Sequence, residues 1–134
     1  KLVEQSVLGE VWPRARTVVT GMARGDGWLP EDVYCALRSG GAALYLVEVD
    51  GAEVGFLVLR TLHDFDGHRL HIWLLHARSD VDVMAEFSDE LDRMARSLQA
   101  TRITFSTTRR GWEKVAPRYQ FSVRETVFER KVKS

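Results

Sequence analysis

The chain has 134 residues, of which 45% are hydrophobic and 28% are charged, and its 19 basic residues are balanced by 19 acidic ones. This size and composition predict one globular domain over residues 1–134, with a core large enough to need neither disulfide nor structural metal. The only cysteine, Cys35, excludes an internal disulfide, no Cys/His cluster has zinc-site spacing, and no apolar run is long enough to span a membrane. A cytoplasmic protein is therefore expected.

The charges are unevenly distributed along the chain. Residues 1–101 contain 10 basic and 16 acidic side chains, whereas residues 102–134 contain 9 basic and 3 acidic ones. Pairing between the two parts within one fold is the favoured interpretation, and a basic patch for an anionic ligand is the alternative. No basic run is interleaved with aromatic residues, so a nucleic-acid partner is not expected.

Two helices are predicted near the start of the chain. Pro13 is expected to begin a helix over residues 13–23, because proline is favoured in the first helical turn. Pro30 begins a second helix over residues 30–37, which Gly40 and Gly41 end.

Three antiparallel strands are predicted next. The first two cover residues 43–49 and 52–62, and Asp50-Gly51 between them is a strong signal for a two-residue hairpin. The third strand covers residues 68–77. Alternation predicts that Leu70, Ile72, Leu74 and His76 lie on one face of this strand, with His71, Trp73 and Leu75 on the other.

A long amphipathic helix follows the third strand. Apolar residues recur at spacings of three and four: Met84, Phe87, Leu91, Met94, Ala95 and Leu98. Ser79, with Asp82 three residues later, resembles a capping box at its start. A strand over residues 102–107, a short helix over 111–119 and a closing strand over 122–132 complete the chain. Because two strands flank a long helix, they are expected to be parallel neighbours in a mixed sheet.

This order of elements resembles the GNAT superfamily of N-acetyltransferases over essentially the whole chain. The segments that carry the resemblance are Val11-Trp-Pro13, Gly27-Trp-Leu-Pro30, Leu70-His-Ile-Trp73, Arg110-Gly-Trp112 and Tyr119-Gln-Phe121. They are most similar to the short acetyltransferase-like proteins of tailed phages. The resemblance implies an α/β (α+β) fold, namely a single domain with antiparallel N-terminal strands, a splayed parallel pair and helices on both faces of the sheet.

The resemblance also implies acetyl-CoA as a cofactor, bound where the parallel strands separate. Backbone groups of the strand before the long helix would hold the pantetheine arm, and the loop after it would hold the diphosphate. The residues at these positions are Leu74, Leu75, His76, Arg78, Ser79, Asp80, Val81, Asp82 and Val83.

The loop departs from the pattern of the superfamily, in which glycines let the backbone approach the phosphates. Here both glycine positions hold other residues, and Asp80 and Asp82 would place negative charge beside the diphosphate. Arg78 could still contact a phosphate. A purely structural helix cap is therefore the favoured interpretation of this loop.

Three residues are candidates for catalysis. Glu48 and His71 lie on strands that would border a substrate groove, and histidine can accept a proton from an ammonium group near neutral pH. In the superfamily a tyrosine on the last helix often protonates the departing thiolate. Ala116 stands at that position here, with Tyr119 nearby. No metal ligands are expected.

Three functions remain open. The first is transfer of an acetyl group from acetyl-CoA to a primary amine of a small molecule or protein. The second is a binding module or phage virion or assembly component that has lost the cofactor and contacts protein partners. The third is an unrelated mixed α/β domain, in which the third and fourth strands would not be parallel neighbours.

Overall fold

The computed structural model describes residues 1–22, 29–78, 80–107 and 111–133. The helices are α1 (Leu8–Met22), α2 (Pro30–Ser39), α3 (Val83–Glu86), α4 (Ser88–Ser97) and α5 (Trp112–Val115), and the strands are β1 (Ala43–Val49), β2 (Ala52–Asp64), β3 (Gly67–Ala77) and β4 (Ala100–Phe105). Short 3₁₀ turns cover Gln5–Val7 and Ala116–Tyr119. The predicted loop over residues 25–27, the predicted helix end at Ala23 and the Ser79 cap lie outside the described residues.

The four strands form one mixed sheet in the order β1-β2-β3-β4. The β1–β2 and β2–β3 pairs are antiparallel, whereas β3 and β4 are parallel. The predicted mixed sheet and the predicted neighbours are therefore confirmed. The hairpin between β1 and β2 turns at Asp50 and Gly51, whose φ angles of 52° and 80° are typical of a two-residue hairpin turn.

Apolar residues cover both faces of this sheet. One cluster joins α1 and α2 to the first face and includes Leu8, Trp12, Val33, Leu44 and Val58. The other joins α3 and α4 to the second face and includes Leu59, Leu70, Ile72, Met84 and Leu91. The helices on both faces were predicted, and the two clusters confirm this arrangement.

The first helix begins earlier than predicted. It starts at Leu8, so that Pro13 lies inside it rather than at its beginning. Leu8 and Trp12 are buried on the same side as Ala15 and Val19, which extends the apolar stripe upstream of the proline. Burial of this stripe outweighs the one helical hydrogen bond that Pro13 cannot donate.

The predicted long helix is divided at one residue. Phe87 has φ −113° and separates α3 from α4, although its N–H still donates to the Val83 carbonyl at 2.9 Å. The apolar spacing was correct, since Met84, Leu91 and Ala95 are all buried. The continuity of the helix was wrong, and Leu98, the last residue of the predicted stripe, lies beyond α4 and is exposed.

The predicted closing strand over residues 122–132 is not formed. Residues 121–133 contain no regular element, and Val127 and Phe128 are exposed. Charged side chains alternate onto both faces of this segment, for example Arg124 on one and Glu125 on the other. Neither face could therefore be buried without burying charge, which removes the main source of strand stability.

Candidate active site

Pairing between the parallel strands ends partway along β3. Their pairing runs from His68 opposite Ala100 to Ile72 opposite Phe105, where β4 ends. β3 continues for five more residues, to Ala77, and no described residue pairs with it there on its β4 side. These residues contain the predicted cofactor segment Leu74, Leu75 and His76. This unpaired part of β3, beyond the end of β4, is where the resemblance implies the splay.

A β-bulge lies at Trp73, directly after the last residue of β3 that pairs with β4. Leu59 pairs with Ile72 while Val58 pairs with Leu74, so Trp73 is an extra residue in β3. The prediction that Ile72 and Leu74 share a face is therefore wrong: Ile72 packs with α3 and α4, and Leu74 with α1 and α2. The extra residue shifts the alternation by one and bends the strand.

The loop after β3 is held by its own acidic side chains. The Arg78 guanidinium lies 3.2 Å from the Asp80 carboxylate, and the Val81 N–H donates to the Arg78 carbonyl at 3.0 Å. Asp82 is the cap of α3, because its Oδ1 accepts the Ala85 N–H at 3.2 Å. A cap was the favoured interpretation of this loop, and Asp82 provides one, whereas the predicted contribution of Ser79 lies outside the described residues.

Tyr119 contacts this cap. Its hydroxyl donates to Oδ2 of Asp82 at 2.7 Å, so that both oxygens of Asp82 accept hydrogen bonds within the protein. The hydrogen bond to Asp82 and partial burial raise the pKa of Tyr119. Tyr119 therefore lies beside the predicted cofactor loop.

His71 lies one residue pair before the splay and is joined to β4 by a side chain. Its Nδ1 is 2.8 Å from Oγ1 of Thr104, the residue opposite it on β4. Oγ1 of Thr104 also accepts a hydrogen bond from Nη1 of Arg69 at 3.1 Å. Burial, and then the charges of Arg69 and Arg60, lower the pKa of His71, so that its imidazole is neutral at pH 7.

Glu48 does not lie near His71. It is exposed near the end of β1, opposite Glu53, whereas the next pair along β2 and β3 joins Gly55 to Ala77. Since His71 is six residues before Ala77, Glu48 and His71 are roughly 20 Å apart along the sheet at 3.3 Å per residue. The structure therefore does not bring these two predicted bases together.

Two residues beside His71 were not predicted from the sequence. Arg60 is its partner on β2, and Thr104 is its partner on β4. The guanidinium carbon of Arg60 lies 4.6 Å from the centre of the Trp73 ring, a cation–π geometry. From the sequence, Arg60 could have been placed beside His71 only by aligning β2 and β3 as a hairpin.

We expect the free energy of unfolding to fall as the pH decreases below about 6.5, partly because of His71. The folded state holds this imidazole neutral at pH values where the unfolded chain takes up a proton, so acid favours unfolding until the lowered folded pKa is reached. Urea unfolding of wild type and His71→Gln between pH 5 and 8 tests this. The difference between their stabilities should be constant above about pH 7 and change below it; a difference independent of pH would contradict the assignment.

Within the described ranges, no group of three or more His, Cys, Asp or Glu side chains is arranged to hold a metal ion. Among the described helices, none has the length and apolar character that a membrane crossing requires.

No protein-family profile and no curated protein sequence matches the chain. Solved structures match it closely in backbone. Ribosomal-protein-alanine N-acetyltransferase from Brucella melitensis biovar Abortus 2308 has a TM-score of 0.67 at 18% identity, covering 98% of both chains. The chain has the GNAT fold.

Two further structures with this GNAT fold contain ligands. A predicted acetyltransferase with acetyl-CoA from Clostridium acetobutylicum has a TM-score of 0.66 at 11% identity, covering 98% of this chain and 94% of that one. An aminoglycoside acetyltransferase from an uncultured soil metagenomic sample, in complex with sisomicin, has a TM-score of 0.65 at 10% identity, covering 100% of this chain and 94% of that one. At these identities the likeness establishes the fold alone.

Proposed function

We propose that this GNAT-fold protein is an N-acetyltransferase that transfers an acetyl group from acetyl-CoA to a primary amine. The observation that carries the proposal is the hydrogen bond between His71 and Thr104 immediately before the strands separate, where burial and the neighbouring arginines lower the pKa of His71. Solved structures of the same fold with acetyl-CoA or an amine ligand support this function class.

The splayed part of β3 fits the pantetheine arm of the cofactor. Alternate residues among Leu74, Leu75 and His76 have backbone groups on the side that faces away from β2, where β4 no longer pairs with them. The loop fits the diphosphate less well, since Arg78 is paired with Asp80 and Asp82 caps α3. The cofactor would supply a thioester as the acetyl donor, and the protein would bind it weakly.

The residues of the chain then have the following roles. With the proton on Nδ1, His71 donates to Oγ1 of Thr104 and keeps a lone pair on Nε2 that can take a proton from the ammonium group of the acceptor. Oγ1 of Thr104 has two lone pairs, so it can accept from both His71 and Arg69. Thr104 is therefore a positioning residue for the imidazole.

Replacing Asp80 with asparagine is expected to tighten acetyl-CoA binding by about three- to tenfold. The substitution removes a negative charge from the loop and frees the Arg78 guanidinium from its ion pair. Isothermal titration of wild type and Asp80→Asn with acetyl-CoA measures the change. Glu10→Gln is the matched control, because it makes the same change in net charge on α1, away from the loop.

Unchanged or weaker affinity in Asp80→Asn would show that the diphosphate does not lie at this loop. Arg78→Ala should act in the opposite direction and weaken binding. Both effects should shrink as the salt concentration rises, since they are electrostatic.

The second candidate function is a binding module that does not use CoA. It is favoured by the contacts that close the loop, namely the Arg78–Asp80 ion pair and the two hydrogen bonds to Asp82. If neither wild type nor Asp80→Asn gives heat at about 1 mM acetyl-CoA, the free energy of binding is smaller in magnitude than ~4 kcal/mol. That result would support this second function. The partner would then be a protein. A tailed-phage origin, a virion partner and a cytoplasmic location stay predictions.

A further inference from the structure

The face of the sheet around His71 is polar rather than apolar. Arg60, His71 and Thr104 lie opposite one another across β2, β3 and β4, so their side chains share one face. Arg69 and Arg102 form the next pair on this face, two residues closer to the start of β3. None of these five residues belongs to either apolar cluster, and all are half-buried.

Most of the arginines on this face have carboxylate partners. Nε of Arg69 lies 3.0 Å from the Asp64 carboxylate, which the Arg124 guanidinium also approaches, at 3.7 Å. Arg102 donates to Asp66. Among the described residues named here, positive charge exceeds negative charge: Arg69, Arg102 and Arg124 share Asp64 and Asp66, and Arg60 adds a fourth positive charge.

Arg60 differs from the others. Within the part of the chain that the structure describes, it has no carboxylate within 4.0 Å. Its buried Nε–H has no hydrogen-bond acceptor, a feature that it shares with Nε of Arg69 and Nη1 of Arg102. Its guanidinium rests on the Trp73 ring, which fixes its position at the level where the strands separate. A fixed, half-buried guanidinium without a carboxylate partner is suited to bind an anion.

We propose that Arg60, stacked on Trp73 beside His71, binds a carboxylate of the acceptor, so that the acceptor is a primary amine that carries a carboxylate close to its amino group. This inference rests on the proposed acetyltransferase function and names the substrate class of the same site. Free amino acids and short peptides with a nearby acidic group have this chemistry. The excess of positive charge opposes a polycationic acceptor of the aminoglycoside kind.

A carboxylate fits this site better than a phosphate dianion. The site offers one guanidinium without a carboxylate partner, which matches a single negative charge, whereas Arg69 and Arg102 are already engaged by Asp64 and Asp66. Inorganic phosphate is therefore expected to bind more weakly than a carboxylate of similar size.

Binding without any donor tests the subsite directly. N-acetyl-alanine and N-acetyl-alaninamide differ at the carboxylate and are titrated into ¹⁵N-labelled protein, with the indole N–H of Trp73 as the reporter, assigned through Trp73→Phe. The acid should shift this signal at concentrations about tenfold lower than the amide. Arg60→Gln should remove the difference and Arg60→Lys should keep part of it, whereas the control Arg14→Gln, on α1 beside Glu53, should keep all of it.

Equal binding of acid and amide by wild type, or a preference that survives in Arg60→Gln, would overturn the proposal. Tighter binding of inorganic phosphate than of the acid would assign the site to phosphate and contradict the proposal that it binds a carboxylate.

Turnover separates this proposal from the function on which it rests. With acetyl-CoA, alanine should have a kcat/KM about tenfold or more above that of alaninamide, measured by release of the free thiol. If no amine is acetylated but the acid still binds through Arg60, the acetyltransferase function fails and the anion subsite stands. If amines are acetylated without regard to the carboxylate, the function stands and the subsite fails.

Discussion

Replacement of His71 by glutamine is expected to lower kcat by about 10²-fold or more, the usual contribution of a general base. Glutamine can keep a hydrogen bond to Thr104 but cannot take the proton of the acceptor amine. Acetyl-CoA affinity should be unchanged, because the side chain acts on the acceptor. Steady-state kinetics with a reactive primary amine, together with isothermal titration of the cofactor, measure both effects.

The pH profile distinguishes a base from a packing residue. Wild-type kcat/KM should decline only below about pH 6.5, since burial and the neighbouring arginines lower the pKa of His71. That acid limb should disappear in His71→Gln. His63→Gln is the control, because His63 lies on β2 on the opposite face of the sheet, paired with His68. A variant with wild-type kcat, or with the acid limb intact, would show that His71 is structural.

Local chemistry explains why much of the fold could be predicted. The hairpin of β1 and β2 was predicted from Asp50 and Gly51, because few other dipeptides accept two positive φ angles. β1 has the predicted bounds, residues 43–49, and β3 begins one residue earlier than predicted. In each case the signal lies within a few residues of the feature that it determines.

The features that were missed depend on contacts between distant residues. No local pattern marks Trp73 as an extra residue in β3, since a bulge is visible only when both strands are aligned. For the same reason His71 could be proposed as a base from its residue type, whereas Arg60 and Thr104 beside it could not. The prediction of the closing strand was wrong because it did not consider whether either face of that strand could be buried.

Gly55 is expected to be the least replaceable glycine of the sheet. A Cβ atom at this position would lie 1.9 Å from the carbonyl oxygen of His76 and 2.7 Å from Cα of Ala77. Both are backbone atoms, so no side-chain rotation can relieve the clash. Gly55→Ala should therefore lower the free energy of unfolding by about 3 kcal/mol, the upper part of the range for overpacking. Urea unfolding at pH 7 measures this change.

The position of Gly55 links this clash to the candidate active site. It pairs with Ala77 at the end of the splayed part of β3, so the strand must move away from β2 to accept the extra methyl group. That movement displaces His76 and Arg78, and acetyl-CoA affinity should fall in any folded fraction of Gly55→Ala. Gly41→Ala is the matched control, because a Cβ there has its nearest contact, with Ser39, at 3.6 Å and its φ is not in the left-handed region. The control should change stability by less than about 1 kcal/mol. A Gly55→Ala protein as stable as that control would mean that β2 and β3 do not approach so closely at the splay, and the support for the cofactor groove would fail with it.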